Sequence, residues 1–198
     1  MKIFNLKIDI KSFFRRGVGK IDDVFGVYLI TGYQGSGKTY TAVMLIHELL
    51  DKKIYTNIHS LKIKNSNIEF FTELDEITEN IESDRVFVID ELSKKFTKES
   101  RQDRKFYSWL QQSRKRRRIV LLITQEYLQV PQWLRGIARE IYTTSKLPVL
   151  PLFKTQKGFA VLDDETKEWN IEPHYTWIYK RTKKIASCYD TMEPINTL

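Results

Sequence analysis

The chain has 198 residues, with 33 Lys and Arg against 25 Asp and Glu for a formal net charge of +8. Its length suits one α/β domain, and 41% hydrophobic with 29% charged residues is the composition of a folding chain, not a disordered one. The lone Cys188 excludes an internal disulfide, the scattered His47, His59 and His174 give no ligand spacing for zinc, and no apolar run nears the roughly 18 residues that span a bilayer, so a soluble, cytoplasmic protein is expected.

Taken in chain order, Phe4, Leu6, Ile8 and Ile10 alternate with polar residues as in a half-buried strand. The following SFFRRGVGK reads as a turn. This basic, aromatic start could touch a membrane surface, but a period of two is wrong for an amphipathic helix. FGVYLI (25–30) is a buried strand that runs into the glycine-rich GYQGSGKT, and Ala42, Val43, Ile46, Leu49 and Leu50 then recur at helical spacing. KIYTNI (53–58) and NIEFF (67–71) are further strand candidates, with a short helix over 75–81. RVFVIDE (85–91) is a β-branched apolar run ending in two carboxylates. A helix over 99–115 buries Phe106, Trp109 and Leu110, and IVLLIT (119–124) is a central strand. Pro131 opens a helix expected to run through WLRGIAREIY. Beyond Lys146, LPVLPLF and the stretches 159–162 and 175–180 read as strands or hairpins.

Strands alternating with helices over 25–146 predict a mainly parallel sheet flanked by helices. Residues 147–198 are then a small antiparallel β extension and 1–24 a leading strand and turn, all in a single domain. GYQGSGKT fits G-x-x-x-x-G-K-[ST] at every fixed position and has the strand before it and the helix after it that the motif requires. The four intervening residues let backbone N–H groups converge on a phosphate. Gly32, Gln34, Gly35, Ser36, Gly37, Lys38, Thr39 and Tyr40 are therefore the candidate nucleotide-binding residues. Lys38 would reach the β- and γ-phosphates of ATP, and the Thr39 hydroxyl would ligate Mg²⁺.

Asp90, just past a buried strand, is the second candidate Mg²⁺ ligand. Glu91 is placed to polarise the attacking water, which favours hydrolysis over simple binding. Thr124 and Gln125 end the next central strand, where open parallel sheets put ligand-contacting residues, so Gln125 is assigned to the γ-phosphate or the water. Asn57 could contact nucleotide or a neighbouring subunit, against the plainer reading of a turn asparagine. Trp109, Tyr127 and Trp133 could stack on bases, although aromatics at these spacings are more often core.

The basic charge is concentrated. Residues 92–118 hold eleven Lys and Arg, including Lys94, Lys95 and Lys98, against Glu99 and Asp103, a net of +9 that leaves −1 for the rest. That points to an anionic partner. Arg114, Lys115, Arg116, Arg117 and Arg118 are the candidate DNA contacts, gripping the phosphate backbone without sequence preference.

In order along the chain, GYQGSGKT, IYTNI, VFVIDE, SRKRRRIVLLITQ, PQWLRGIAREIY and SCYDT resemble the zonular occludens toxin-like ATPases, which include assembly proteins of filamentous phages. That family sits in the FtsK/HerA group of P-loop motors beside the packaging ATPases of membrane-containing icosahedral viruses. The resemblance covers 27–191, and its specificity rests on the Thr-Asn, Thr-Gln and Tyr-Asp-Thr pieces, since the phosphate loop is generic. It implies a RecA-like sheet with an added catalytic glutamate, a homo-oligomeric ring motor, and DNA as the moved substrate. It also implies an arginine finger from a neighbouring subunit. Arg135 and Arg139, four apart on the expected helix, are candidates, as is one of Arg114 to Arg118. Phage assembly proteins of this family carry a membrane-spanning helix after the ATPase domain, and none is read here. Capsid, portal or membrane-assembly proteins are the further partners implied, in the host cytoplasm or at the virion or membrane.

The leading expectation is an ATP-driven DNA translocase for viral genome packaging. A membrane-docked filamentous-phage export ATPase, a small-molecule P-loop kinase and a non-catalytic DNA-binding protein with a relic site are the alternatives. No physical role can be derived for Asp190 and Thr191.

Overall fold

A computed structural model describes residues 7–8, 25–65, 67–80, 82–91, 101–147, 152–166 and 169–190. Most of the expected leading strand and turn, the basic residues Lys94, Lys95 and Lys98, most of LPVLPLF, and Thr191 lie outside them. The strands are β1 (Lys7–Ile8), β2 (Gly26–Thr31), β3 (Lys53–Thr56), β4 (Ile68–Phe70), β5 (Arg85–Ile89), β6 (Ile119–Thr124), β7 (Ala138–Lys146), β8 (Phe153–Leu162) and β9 (Trp169–Tyr179). The helices are α1 (Lys38–Glu48), α2 (Leu74–Thr78), α3 (Arg101–Gln111), α4 (Gln132–Ile137) and α5 (Lys183–Ala186).

Among the described residues there is one nine-stranded sheet, in the order β1-β9-β8-β7-β2-β6-β5-β3-β4. From β7 to β4 all pairings are parallel, while β8 runs antiparallel to both β7 and β9. Every residue of β2 and β6 is buried, as expected of parallel strands covered on both faces. Alternation divides their side chains between two cores. Tyr28, Ile30, Leu121 and Ile123 pack with Ala42, Val43 and Ile46 of α1. Val27, Leu29, Val120 and Leu122 pack on the other face with Phe106, Trp109 and Leu110 of α3 and Leu134 of α4. This is the RecA-like P-loop NTPase fold.

One of these expectations changes. The helix opened by Pro131 stops at Ile137, and residues 138–146 form β7 beside β2. Ile141, Thr143 and Thr144 are β-branched and Tyr142 aromatic, residue types that fit a pleated buried surface. Ile141 and Tyr142 are fully buried against the two cores, which outweighs the apolar spacing that suggested a longer helix. The expected antiparallel extension is present: the C-terminal segment continues the same sheet through its longest strands, β8 and β9. It carries 10 and 11 residues into the structure's main layer, so it is an integral part of the core. Among the described residues no helix is long and apolar enough to cross a membrane.

Candidate active site

All of the parallel strands from β7 to β4 point their C-terminal ends to one edge, and the predicted chemistry collects there. The loop 32–37 leaves β2 and enters α1, whose first turn is closed by the Thr41 N–H on the Gly37 carbonyl at 2.9 Å. The N–H groups of Lys38, Thr39 and Tyr40 come before that bond, so they have no carbonyl one helical turn behind them within α1. The loop is fastened on both sides. Gly32 N–H donates to the Gln125 carbonyl at 3.1 Å, linking it to β6. Thr144 Oγ1 donates to the Thr31 carbonyl at 3.2 Å and lies 2.7 Å from Ser36 Oγ. Because the single Thr144 proton is used on Thr31, Ser36 donates. Gly32 passes Thr144 so closely that any Cβ would collide with its backbone oxygen.

These contacts refine two of the expected ligands. Ser36 is 4% exposed, and its hydroxyl anchors the loop to β7 instead of facing outward. Tyr40 is 1% exposed and its hydroxyl accepts from the Thr182 N–H at 3.0 Å. Its side chain is spent inside the protein, and only its backbone N–H can serve a ligand. By contrast Gln34 and Gly35 are exposed, and Gly35, at φ 74°, opens onto empty space where a Cβ would stand.

Lys38 donates from Nζ to the Tyr33 carbonyl at 3.1 Å, folding back over the loop. Its pKa is lowered, first by burial, against which the negative charges of Asp90 and Glu91 act to raise it. The lysine of the phosphate loop therefore lies within electrostatic reach of both carboxylates. The topology explains this. β6 stands between β2 and β5, with Ile30 beside Ile123 and Ile89 beside Leu122. The phosphate loop and Asp90 are thus two strands, or about 10 Å, apart, with Thr124 and Gln125 between them. Gln125 is exposed, while Thr124 is 1% exposed and its Oγ1 has no hydrogen-bond partner among the described residues.

Asp90 is held by a residue of β3's exit loop. Asn57 Oδ1 accepts from the Asp90 N–H at 2.7 Å and Asn57 Nδ2 donates to the Asp90 carbonyl at 3.1 Å. The amide thus closes both main-chain groups of Asp90 in one clamp, a position-setting role and not the solvated turn that strand-end asparagines usually fill. Glu91 follows with φ 56°, left-handed backbone that is uncommon for a non-glycine residue. Its N–H donates to Asp90 Oδ1 at 2.7 Å. The left-handed step breaks the strand's alternation, so neighbouring carboxylates take different directions.

The basic segment lies at the other edge. α3 ends at Gln111, and residues 112–118 form the turn into β6, with Arg117 at φ 53°. Six residues of β6 separate this turn from Gln125, about 20 Å. Arg114, Lys115 and Arg117 are exposed. Arg117 pairs with Asp84 at 3.0 Å and sits over the Phe25 ring. Arg118 departs from expectation: it is 1% exposed, donates to the carbonyls of Glu82 at 2.9 Å and Asn80 at 2.6 Å, and lies over Phe87 and Trp109. A buried cation must satisfy its donors internally, and this one does so by pinning the loop before β5. It is unavailable as a surface DNA contact.

The two other arginines also move apart. Arg135 of α4 donates to the carbonyls of Val130 and Leu128 at 2.8 and 2.6 Å and stacks over Tyr127, so it braces the loop after β6. Arg139 is in β7, not on a shared helical face with Arg135, and its Cδ lies 3.5 Å from where a Gly26 Cβ would be, beside Arg114. It belongs to the basic edge. Trp109 is core, edge-on to Phe87, and Trp133 packs edge-on against Tyr107. Near the C-terminus, Cys188 accepts from Lys62 N–H and Asp190 from Ser60 Oγ through their carbonyls, docking this segment on the loop after β3.

The zonular occludens toxin (Zot) family profile matches residues 26–190. Among solved structures, the N-terminal domain of zonular occludens toxin from Neisseria meningitidis is similar with a TM-score of 0.61 and 21% identity, covering 84% of this chain and 100% of that one. The RadB recombinase is similar at TM-score 0.52 and 14% identity, over 79% and 91% of the two chains. The genome packaging NTPase B204 from Sulfolobus turreted icosahedral virus 2, in complex with sulfate, gives 0.50 and 13%, over 77% and 97%. No curated protein matches the sequence.

Proposed function

The chain belongs to the zonular occludens toxin family, and we infer that it is an ATP-hydrolysing motor that moves DNA as a homo-oligomer, in viral genome packaging. The observation that carries the hydrolytic part is the gathering of Lys38, Asp90, Glu91 and Gln125 at one strand edge, where β6 stands between the strands that run into the phosphate loop and into Asp90. A partly buried lysine whose main partner is one carbonyl is poorly compensated, and phosphates would supply the missing charge.

The donors fit a hard cation. Thr39 and Asp90 offer oxygen only, as Mg²⁺ prefers, and this ion is commonly held by one or two carboxylates plus substrate phosphates. Among the described residues no group of three His, Cys, Asp or Glu could hold a metal alone, so the nucleotide would complete the site. When bound, Mg²⁺ neutralises charge on the β- and γ-phosphates. The chain's own residues do the rest: the loop N–H groups orient the triphosphate, Asn57 holds Asp90 in place, Glu91 takes the proton from the attacking water, and Gln125 positions that water or the γ-phosphate.

DNA would run along the exposed Arg114, Lys115 and Arg117, with Arg116 half-buried beside them. Of the arginines considered as fingers for a neighbouring subunit, Arg135 would first have to release two carbonyls of its own chain. Arg114 needs no such rearrangement. The test is ATP turnover with and without DNA in wild type and Lys38→Ala. DNA-stimulated turnover that vanishes in the variant supports the motor. Turnover indifferent to DNA, or phosphate passed to a small acceptor, would refute it.

A further inference from the structure

We propose that Arg181 is a nucleotide-binding residue, gripping the nucleoside end of the bound nucleotide through its α-phosphate. The proposal rests on the nucleotide reading above. Arg181 follows β9 and precedes α5, far in sequence from the phosphate loop, yet its Nη2 is 3.6 Å from the place a Cβ on Gly37 would occupy. Gly37 has φ 101° and is the last residue before Lys38. A side chain there would also meet Phe153 at 3.2 Å. The guanidinium thus flanks the mouth of the loop.

It is held there without being used. Its carbon lies 4.2 Å from the centroid of the Phe153 ring and 5.7 Å from that of Tyr40, so two aromatic faces fix its plane. Thr182, the next residue, is bonded through its N–H to the Tyr40 hydroxyl in the first turn of α1, which ties the arginine's backbone to the loop. Its Nε is buried with no hydrogen-bond partner, and among the described residues the group enters no ion pair. A planar fork of donors, stacked, fixed and unspent beside a phosphate loop, is the arrangement that recognises a phosphate oxygen pair.

The sheet order says which phosphate. The γ end of a triphosphate must face Asp90, Glu91 and Gln125, which lie on the β6 and β5 side of β2. The nucleoside end then leaves toward β7 and β8 on the other side. Phe153 is the first residue of β8, and Arg181 stands on it. The α-phosphate is the anion that comes past this point, whereas the β- and γ-phosphates stay under the loop and Lys38.

Calorimetric titration of the full chain with ATP, ADP and pyrophosphate tests the assignment. Arg181→Gln and Arg181→Lys are compared with wild type and Lys38→Ala, with melting temperatures recorded for each. The expected result is ATP and ADP weakened about tenfold to a hundredfold in Arg181→Gln, partly restored in Arg181→Lys, and pyrophosphate unchanged in both, since it does not reach the α position. ATP and ADP bound as by wild type would overturn the proposal. So would equal losses for ADP and pyrophosphate, which would mean that the arginine shapes the loop. A wild type that binds none of the three ligands would sink the nucleotide reading itself, a different outcome from a failure at Arg181 alone.

Discussion

Replacing Asn57 by alanine removes both hydrogen bonds to the Asp90 main chain, at 2.7 and 3.1 Å, from a residue only 6% exposed. An orphaned buried donor or acceptor costs about 1–3 kcal/mol. Asp90 is itself half-buried, so water can reach part of the gap, and a total of about 2 kcal/mol is expected. For a chain of this length that lowers the melting temperature by roughly 4–8 °C. The functional loss should be larger than a stability loss alone would give. Asp90 is freed to shift, and a displacement of about 1 Å in a catalytic group can cost around a hundredfold in rate. ATP turnover measured well below the melting temperature, across a series of Mg²⁺ concentrations, separates the two effects. A fall in kcat with a raised Mg²⁺ requirement is expected. Asn57→Asp should be worse, because a carboxylate oxygen would then face the Asp90 carbonyl. Wild-type kcat and wild-type Mg²⁺ dependence in Asn57→Ala would refute the idea that this clamp sets the metal-binding carboxylate.

Thr144→Val removes the hydroxyl that links Ser36 to Thr31 and should weaken ATP binding by several-fold, read by titration, with about 1 kcal/mol lost from stability. Arg118→Ala strips two carbonyls of a buried partner and should cost about 3 kcal/mol, seen as a melting temperature lower by roughly 6–12 °C, while DNA affinity per folded molecule stays the same. Charge reversal of Arg114 and Lys115 should do the opposite, weakening DNA and flattening its salt dependence by about 0.9 in log–log slope for each duplex phosphate no longer neutralised; a salt-insensitive complex would contradict the phosphate-gripping role. Burial pushes the Tyr189 phenol up to about 12 and raises Tyr179 as well. The unfolded chain gives up these protons near pH 10 and the folded one later, so their contribution is intact below about pH 10 and lost as pH rises toward about 12. Urea midpoints at about pH 9 and about pH 11.5 should show that fall, and Tyr189→Phe should reduce it.

Much of this arrangement is written locally. GYQGSGKT, RVFVIDE and IVLLIT each combine a buried strand with its terminal chemistry, and an uninterrupted β-branched run can be read without knowing its neighbours. The parallel sheet then brings Lys38, Asp90, Glu91 and Gln125 to one edge. Residues whose role depends on pairing across distance are the ones that escape a reading of the sequence. β7 is masked by apolar residues that also fit a helix, and only the vacancy beside β2 decides for a strand. Arg118 looks identical to its four basic neighbours until the turn after α3 carries it inward between Phe87 and Trp109. Thr144, Phe153 and Arg181 carry no motif, and they meet the phosphate loop only because β7 and β8 pair beside it. Asn57 stands out as a strand end, but its partner is 33 residues away, and nothing in the sequence names it.

Hydrolysis of ATP at this strand edge, with Glu91 as the base, is tested most directly by Glu91→Gln, which keeps the size of the side chain and removes the base. ATP affinity and ATP turnover are measured side by side in the variant and in wild type. Affinity close to that of wild type is expected, with turnover reduced by about a hundredfold to ten-thousandfold. Turnover at the wild-type rate in Glu91→Gln would contradict that role.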